Sequence, residues 1–309
     1  MSIYQLFASK GPSGFGYGST AEQVTAGLSL QGRTILVTGC NSGLGLETMR
    51  VLALRGARVA GTARTREKAE TACKSVKGDT LPFACELSDP ASVNACIAAV
   101  KTAGLKLDAI ICNAGIMALP KLEKAYGYEQ QFFTNHVGHF ILVTGLLDQL
   151  TGSGRVVIVS SDLHARAPKG GIEFDNLDGS KGYDGWKNYA QSKFANVLFA
   201  KELARRFKGT KRTANAVHPG VIATNLGRHM NPIVWSLYSA LAPLFLKTVP
   251  QGAATEVYVA TSPALDGVSG EYFADCNVAK ARRDTSDATL AQRLWEVSGK
   301  IVSELPTIP

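Results

Sequence analysis

The sequence predicts an α/β fold: a doubly wound parallel sheet of about seven strands, with helices on both faces, in a single domain. Two observations predict this fold. Short runs of β-branched and other apolar residues alternate with helical patterns from residue 33 onward. These runs are apolar along their whole length, as parallel strands covered on both faces are. No internal repeat and no linker marks a second domain.

The predicted strands are short apolar runs at Thr34–Val37, Arg58–Thr62, Thr80–Ala84, Asp108–Cys112, Arg155–Ser160, Thr213–Val217 and Gly270–Phe273. The predicted helices between them include Gly45–Arg55, Ala91–Ala103, Glu129–Leu150 and Tyr189–Phe207. In a doubly wound sheet the ligand binds beyond the carboxyl ends of the strands. We therefore expect the functional residues in the loops that follow the strands.

Residues 1–30 are predicted to be an N-terminal arm and a short helix, ahead of one catalytic domain over residues 31–309. Residues 1–18 are rich in glycine and serine, which predicts a loose arm. Thr20 and Gln23 have the spacing of a capping box, in which two side chains satisfy free backbone N–H groups at a helix start.

Composition and charge restrict the partners and the location. The formal net charge is +8, but the basic residues are scattered and no nucleic-acid motif accompanies them, so we expect no nucleic-acid partner. The six cysteines form no C-x-x-C pair, which predicts free thiols in a reducing compartment and no metal site. The N-terminus lacks a secretory pattern, and the apolar stretch 233–246 is too short to span a bilayer. We therefore expect a cytoplasmic protein.

A glycine-rich turn follows the first predicted strand and opens the next helix, Thr38-Gly39-Cys40-Asn41-Ser42-Gly43-Leu44-Gly45. Its glycines allow a sharp turn, close approach of the backbone to a diphosphate, and tight packing of helix on strand. The helix N-terminus adds free N–H groups and a positive dipole end. This position predicts a Rossmann-type dinucleotide site with cofactor contacts at Gly39, Asn41, Ser42, Gly43, Leu44 and Gly45.

The end of the second strand indicates which dinucleotide binds. NAD enzymes place an Asp or Glu there to bond the ribose 2′-hydroxyl. Here the segment 59–66 contains no acid, and Arg64 offers a planar, permanently charged partner for a 2′-phosphate. A solvated arginine at a strand end is the other interpretation, but the missing acid favours NADP(H).

Tyr189 and Lys193 form a Y-x-x-x-K pair on a predicted helix. Residues at positions i and i+4 lie on the same face of a helix, so the phenol and the ammonium can act together. Reduction of a carbonyl leaves an alkoxide that must be protonated, and a free tyrosine with a pKa of about 10 is a poor acid–base group near neutrality. We expect the lysine to lower the pKa of the phenol.

The order of these motifs resembles the short-chain dehydrogenase/reductase family over about residues 32–276. The resemblance implies hydride transfer between NADP(H) and a carbonyl or alcohol carbon. It also implies the catalytic residues. Tyr189 is the proton donor, Lys193 is its partner and binds the ribose, Ser161 orients the substrate oxygen, and Asn135 holds a water that links Lys193 to solvent.

The resemblance implies further cofactor contacts after the later strands. Glu86-Leu87 stands where the family has an Asp-Leu or Asp-Val pair against the adenine, so the acid here is a departure from the pattern. Asn113-Ala114-Gly115 matches the family's N-A-G motif. The family's P-G motif, which bonds the nicotinamide carboxamide, is matched at Pro219, Gly220, Ile222 and Thr224.

Several short runs look like the retinol dehydrogenase and WW-domain oxidoreductase branch of the family: N-H-V-G-H-F from Asn135, Y-D-G-W from Tyr183 and S-G-E-Y-F from Ser269. The apolar segment 225–250 occupies the substrate-loop position, and we interpret it as a lid over a lipophilic small-molecule substrate. A dimer surface and a peripheral membrane contact are the alternatives. We also expect a homodimer through helices Glu129–Leu150 and Tyr189–Phe207, and packed or surface roles for His136 and His139.

Two other functions remain open at this point. One is a regulator that binds NADP(H) without turnover, and the other is a reductase of an activated carbon–carbon double bond. The fold and the catalytic group alone do not separate these alternatives from a carbonyl reductase or alcohol dehydrogenase.

Overall fold

The structure is a computed structural model and describes residues 9–222 and 246–306. Its strands are β1 (Thr34–Val37), β2 (Arg58–Ala63), β3 (Thr80–Ala84), β4 (Leu107–Cys112), β5 (Lys124–Ala125), β6 (Tyr128–Glu129), β7 (Leu150–Val159), β8 (Thr213–His218), β9 (Tyr272–Ala274) and β10 (Asn277–Val278). Its helices are α1 (Ala21–Val24), α2 (Gly43–Leu54), α3 (Arg66–Ser75), α4 (Pro90–Thr102), α5 (Gln130–Phe132, Phe133–Val137 and Gly138–Gly145, with a π turn in the middle), α6 (Gly185–Arg206), α7 (Val249–Thr261) and α8 (Ala288–Glu304).

The main sheet has the order β10-β9-β8-β7-β4-β1-β2-β3. All its neighbouring pairs are parallel except β10 with β9. Chain order reverses between β1 and β4, and this switch point is where doubly wound sheets bind their ligands. The predicted single-domain, doubly wound fold is confirmed.

The main sheet has eight strands in the described residues rather than about seven. The additional strand, β10, is two residues long and pairs antiparallel with β9 across a tight turn. Both central residues of that turn, Asp275 and Cys276, have positive φ (51° and 62°), as in two-residue hairpin loops. A strand this short shows no alternation in the sequence, and the turn lacks the usual Asn-Gly signal.

Strand residues alternate between two apolar layers, because successive side chains point to opposite faces. Leu36 and Ile110 belong to the layer that α4, α5, α6 and α8 cover. Ile35, Val37 and Ile111 belong to the layer under α1, α2, α3 and α7. The six cysteines are all buried in these layers as free thiols. Both faces of the sheet are therefore covered, as its apolar strands require.

Two predicted boundaries are wrong by five residues, and the helix predicted from Tyr189 begins four residues earlier, at Gly185. The helix predicted over Glu129–Leu150 ends at Gly145, and Leu150 begins β7. The strand predicted from Arg155 therefore starts five residues earlier and passes an irregularity in register opposite Leu107–Ala109. Glycines such as those at 152 and 154 are typical of turns, but the chain stays extended through them.

The N-terminal arm is not loose where the structure describes it. Asn277 accepts a hydrogen bond from the Ser13 amide and donates one to the Phe15 carbonyl, each 3.0 Å long. The Phe15 ring packs edge-on against Tyr258 of α7, with centroids 5.6 Å apart. The capping box of Thr20 and Gln23 is present at α1. The arm is thus held against α7 and β10 by its aromatic side chains as well as its backbone.

Helix α8 lies against α5 and α6, the two helices through which the sequence predicts a homodimer. The Trp295 ring packs edge-on against Phe140 at 4.9 Å and lies 5.9 Å from Phe199, and the Arg206 guanidinium stacks over it at 3.9 Å. A dimer through α5 and α6 would have to include or displace α8. The homodimer stays a prediction.

Candidate active site at the carboxyl ends of the strands

The glycine-rich turn after β1 has the shape that a diphosphate needs. Gly39 and Gly43 have positive φ (76° and 58°), which glycine adopts without strain. A Cβ at Gly39 would lie 3.1 Å from the Cα of Ala114, and one at Gly45 would collide with the Gly39 carbonyl. Ser42 precedes α2 without a side-chain capping bond, so no side-chain oxygen of this residue covers the helix N-terminus. The residues therefore fit a dinucleotide at this turn.

Beside this turn, Asn41 and Ser42 are exposed, and Leu44 packs under α7. A Cβ at Gly252 of α7 would lie 2.7 Å from the Leu44 side chain. Leu44 thus anchors the start of α2 while its neighbours remain open to a ligand.

Arg64, just after β2, is exposed, and its side chain has no hydrogen bond or ion pair within residues 9–222 and 246–306. Arg66 differs, because its guanidinium bonds the Glu70 carboxylate and the Pro82 carbonyl, each at 2.8 Å. Arg64 is therefore the arginine at this strand end that is free to bind a phosphate.

Glu86 and Leu87 follow β3, as predicted. The Glu86 carboxylate accepts bonds from the amide and the hydroxyl of Ser88, at 3.1 and 2.9 Å. Leu87 is buried, and its backbone packs against Gly138 of α5, where a Cβ would collide with the Leu87 carbonyl. The Glu86 carboxylate thus stabilises the loop in which it lies. The glutamate that replaces the family's aspartate makes its hydrogen bonds within this loop.

The Asn113-Ala114-Gly115 segment joins β4 to the glycine-rich turn. The Asn113 amide donates to the Thr38 carbonyl at 2.7 Å, and the Ala114 N–H donates to the Thr38 hydroxyl at 3.0 Å. A Cβ at Gly115 would lie 3.0 Å from Asn135 Oδ1 and 3.4 Å from Lys193 Nζ. Gly115 therefore sits between two of the predicted catalytic residues, which the structure brings together across it.

Tyr189 and Lys193 lie on α6, which begins at Gly185 with Asp184 as its cap. Both side chains are buried, with 7% and 4% exposure. Lys193 Nζ donates to the Val159 carbonyl at 3.1 Å and lies 5.7 Å from the centroid of the Tyr189 ring. The Ser160 hydroxyl donates to the Lys193 carbonyl at 2.7 Å. The end of β7 thus holds this part of α6 in place.

Burial changes the acidity of both groups. It raises the pKa of the Tyr189 phenol above its usual range, and the Ser161 hydroxyl opposes this change. Burial lowers the pKa of the Lys193 ammonium to about 8, and the neighbouring Cys112 and Glu256 oppose this change. The low phenol pKa predicted from the lysine is therefore not reached in the protein alone, because burial is the larger effect on the phenol.

Ser161 follows β7 and caps the short helical turn Asp162–Arg166. Its hydroxyl accepts from the Leu163 N–H at 3.2 Å and donates to the Asp162 carboxylate at 3.2 Å. The same hydroxyl opposes the effect of burial, which raises the pKa of the Tyr189 phenol. Asp162 was not predicted, and only its position beside Ser161 in the sequence could have drawn attention to it.

Asn135 lies in the π turn of α5, where the Gly138 N–H bonds the carbonyl five residues back. Single π turns occur often at functional sites. The Asn135 amide accepts from the Ile116 N–H at 2.8 Å and donates to the Ile116 carbonyl and the Ser192 hydroxyl at 2.9 and 3.0 Å. Both amide N–H groups and one lone pair of the side-chain oxygen are thus used, and the main-chain carbonyl is the other group of Asn135 that could accept from a water.

The Pro219-Gly220 turn follows β8. Gly220 has a φ of 95°, and a Cβ there would lie 2.5 Å from the side chain of Lys247. Ile222 pairs with Lys247 in a short parallel bridge, so this turn and the end of the substrate-loop position meet. Thr224 and most of the segment 225–250 lie outside the described residues.

Within the described part of the chain, no group of three His, Cys, Asp or Glu side chains is arranged to hold a metal ion. Among the same residues, none of the helices combines the length and the apolar character needed to cross a membrane.

The sequence profile described as short chain dehydrogenase matches residues 33–233. The chain belongs to the short-chain dehydrogenase family. It is similar to the short-chain dehydrogenase TIC 32 B, chloroplastic, of Brassica napus (40% identical, 99% of this chain and 100% of that protein). It is also similar to retinol dehydrogenase 14 of Homo sapiens (38% identical, 89% of this chain and 88% of that protein). The resemblance to the family and to its retinol dehydrogenases is confirmed.

Solved structures agree with this membership. An uncharacterized protein from Mycobacterium Paratuberculosis superposes with a TM-score of 0.75 at 32% identity, over 94% of this chain and 99% of that chain. A short chain dehydrogenase from Burkholderia cenocepacia, solved in complex with NADP, superposes with a TM-score of 0.64 at 25% identity, over 79% of this chain and 96% of that chain. This short-chain dehydrogenase is therefore an oxidoreductase of a family that uses a nicotinamide cofactor.

Proposed function

We propose that the protein is an NADP(H)-dependent oxidoreductase that moves hydride between nicotinamide and a carbonyl or alcohol carbon of a lipophilic small molecule. One observation carries this proposal. Four predicted catalytic residues, which come from α5, the loop after β7 and α6, lie beside the glycine-rich turn at the switch point of the sheet, namely Asn135, Ser161, Tyr189 and Lys193.

The cofactor preference rests on charge. The N-terminus of α2 and the glycine-rich turn would hold the diphosphate, and the exposed Arg64 would bind a 2′-phosphate. The Burkholderia cenocepacia structure, which contains NADP, supports the choice of NADP(H). Lys193 would bind the ribose beneath the nicotinamide.

Bound NADPH supplies the hydride that reduces a carbonyl carbon, and NADP⁺ accepts one from an alcohol carbon in the reverse direction. Side chains of the protein would bind and protonate the substrate oxygen. Burial keeps the Tyr189 phenol protonated, so it is ready to donate its proton to the oxygen as negative charge develops there. The neighbouring ammonium of Lys193 favours the phenolate that remains after this transfer.

Ser161 would donate a hydrogen bond to the same substrate oxygen and stabilise the charge that develops on it. In the protein alone its proton points to the Asp162 carboxylate. A hydroxyl has a single proton to donate, so this bond must be exchanged for the one to the substrate. The exchange costs little, because Asp162 is exposed and water can take the place of Ser161.

The substrate class rests on two observations. Relatives that cover most of the chain are named retinol dehydrogenases, and the segment 225–250 is rich in apolar residues. A lipophilic carbonyl compound or alcohol agrees with both. The peripheral membrane contact, the homodimer and the cytoplasmic location are not tested by these observations and stay predictions.

A substrate panel tests the proposal. Purified protein is incubated with NADPH and aldehydes, ketones and enones of increasing apolar length, and products are identified by mass and NMR. We expect reduction of the carbonyl, with activity that increases with apolar length. Reduction of the double bond alone would support the carbon–carbon reductase instead. Tight NADPH binding without turnover of any compound would support the regulator.

A further inference from the structure

Two histidines lie three residues apart on α5, and they differ in what they contact. His136 and His139 are both buried, with 1% and 0% exposure. Nε2 of His136 lies 2.8 Å from the Ser298 hydroxyl on α8, away from the candidate active site. His139 instead contacts residues of the site itself, whereas the sequence predicts packed or surface roles for both histidines.

The His139 ring joins three elements. Its Nδ1 lies 3.0 Å from the Asn135 carbonyl oxygen, and its Nε2 lies 2.9 Å from the Thr38 hydroxyl. That hydroxyl also accepts from the Ala114 N–H at 3.0 Å. The ring therefore connects the π turn of α5 to the glycine-rich turn after β1 and, through it, to the loop after β4.

The partners fix where the protons lie in this connection. A carbonyl oxygen only accepts, so Nδ1 of His139 must carry the proton that bonds Asn135. The Ala114 N–H only donates, so the Thr38 oxygen accepts from it and is free to donate its own proton to Nε2. Three hydrogen bonds then run in one direction, from Ala114 through Thr38 and His139 to Asn135.

Only a neutral His139 allows all three of these hydrogen bonds to form. A second proton on Nε2 would turn the Thr38 proton toward its remaining acceptor, the Ile111 carbonyl, at the longer distance of 3.5 Å. The surroundings oppose that second proton. Burial lowers the pKa of His139 to about 4; the bond to Asn135 opposes the change and the charge of Lys193 assists it.

The Asn135 carbonyl needs an anchor of this kind. Its peptide lies in a π turn, which departs from the regular helical ladder, and the Asn135 amide is already committed to Ile116 and Ser192. The bond from His139 holds this carbonyl in one direction, and a water that links Lys193 to solvent would donate to the same oxygen.

We infer that His139 is a positioning residue of the proton path: fixed by Thr38, its Nδ1–H sets the direction of the Asn135 carbonyl. The role of Asn135 in this inference rests on the proposed function. The three hydrogen bonds themselves are independent of it. Misplacement of a catalytic group by about 1 Å can lower a rate roughly 10²-fold, so such an anchor has a measurable effect.

Nuclear magnetic resonance tests the hydrogen bonds of His139 directly, and it does not require enzymatic turnover. The protein is labelled with ¹⁵N-histidine, and the signal of His139 is assigned by its loss in His139→Asn. We expect a proton on Nδ1 and none on Nε2, unchanged from pH 8 to pH 5. A proton on Nε2, or titration of this ring near pH 6.5, would overturn the inference.

Steady-state kinetics test the positioning role. His139→Leu removes both bonds, and His136→Leu is the matched control, because it removes an equally buried histidine from the same helix. We expect His139→Leu to lower kcat by about 10- to 100-fold and to change the KM for NADPH by less than about threefold, since Thr38 still holds Ala114. His139→Asn, which keeps a donor near the Nδ1 position, should lose less than His139→Leu.

Thr38 supplies a second pair of variants if His139→Leu does not fold. Thr38→Val removes the hydroxyl that both His139 and Ala114 use, so it should lower kcat and raise the KM for NADPH, whereas Thr38→Ser should restore both. Equal kcat values for His139→Leu and His136→Leu, or for Thr38→Val and the parent, would overturn the inference. Loss of turnover in Tyr189→Phe alongside that result would show that the proposed function still holds.

Discussion

The Lys247 ammonium lies 2.5 Å from the Asp275 carboxylate, although the lysine side chain is 1% exposed and the aspartate 41%. The stem of Lys247 packs on Gly220, and its backbone N–H donates to the Val221 carbonyl at 2.9 Å. Its ammonium also lies 5.0 Å from the ring of Tyr17 in the N-terminal arm. One lysine thus joins the arm, the turn after β8 and the turn between β9 and β10.

Lys247→Met keeps the apolar stem and removes the charge. We expect it to reduce the free energy of unfolding by about 1–2 kcal/mol, within the usual range for single substitutions, because Asp275 can be hydrated when its partner is lost. NADPH binding should weaken by roughly 3- to 10-fold, or about 1 kcal/mol, since the turn at Gly220 is less firmly held.

Urea unfolding and NADPH titration measure these two effects. Lys181→Met is the matched control, because its ion pair with Asp175 is exposed on both sides (59% and 76%) and such pairs contribute little. Equal effects of the two substitutions would contradict a role for Lys247 at this junction.

Arg64→Ala should weaken NADPH binding by roughly 10- to 100-fold, as expected when a charged hydrogen-bond partner of about 1.5–3 kcal/mol is lost. NADH binding should change little, because NADH has no 2′-phosphate. Arg66→Ala is the control, since that guanidinium is committed to Glu70 and Pro82. Dissociation constants for both dinucleotides measure the ratio. A parent protein that binds NADH as tightly as NADPH would remove the basis of this argument.

Glu256 of α7 is fully buried and accepts a hydrogen bond from Thr48 of α2. Its second carboxyl oxygen has no hydrogen-bond partner in the part of the chain that the structure describes. Burial raises the pKa of Glu256 from 4.5 to about 7, while Thr48 and Lys193 act in the opposite direction. The folded protein therefore holds this proton more tightly than the unfolded chain does.

This difference in proton binding sets the sign of the pH dependence of stability. Between about pH 4.5 and pH 7 the folded state keeps a proton that the unfolded state has released, so the free energy of unfolding falls as the pH rises through this interval. The limiting slope for one such group is about 1.4 kcal/mol per pH unit. Glu256→Gln removes this contribution. We expect the free energy of unfolding of Glu256→Gln, relative to that of the parent protein, to increase from pH 5 to pH 8, as measured by urea unfolding. A pH-independent difference would show that Glu256 does not titrate in this interval.

Local spacing explains what the sequence could predict. The glycine-rich turn and the Tyr189–Lys193 pair each lie within one element, and a spacing of a few residues decides how their groups face each other. Apolar strands that alternate with helices likewise predicted the doubly wound sheet, which the structure confirms.

Contacts between residues far apart in the sequence could not be predicted from local spacing. His139 and Thr38 are 101 residues apart, and Glu256 and Thr48 are 208 residues apart, so no spacing within an element indicates that they meet. The end of α5 was misplaced because glycines inside β7 resemble a turn. The acidity of Tyr189 was misjudged because the sequence shows the neighbouring lysine but not the degree of burial.

The central claim is that Tyr189 transfers the proton during hydride transfer, and turnover of Tyr189→Phe tests it most directly. The control is Tyr258→Phe, which alters a buried tyrosine that packs against the N-terminal arm. On the best carbonyl substrate with NADPH, we expect Tyr189→Phe to lose at least roughly 10²–10⁴-fold in kcat while NADPH binding and thermal stability stay near those of the parent. Tyr258→Phe should keep parental turnover. Near-parental turnover in Tyr189→Phe would contradict the account.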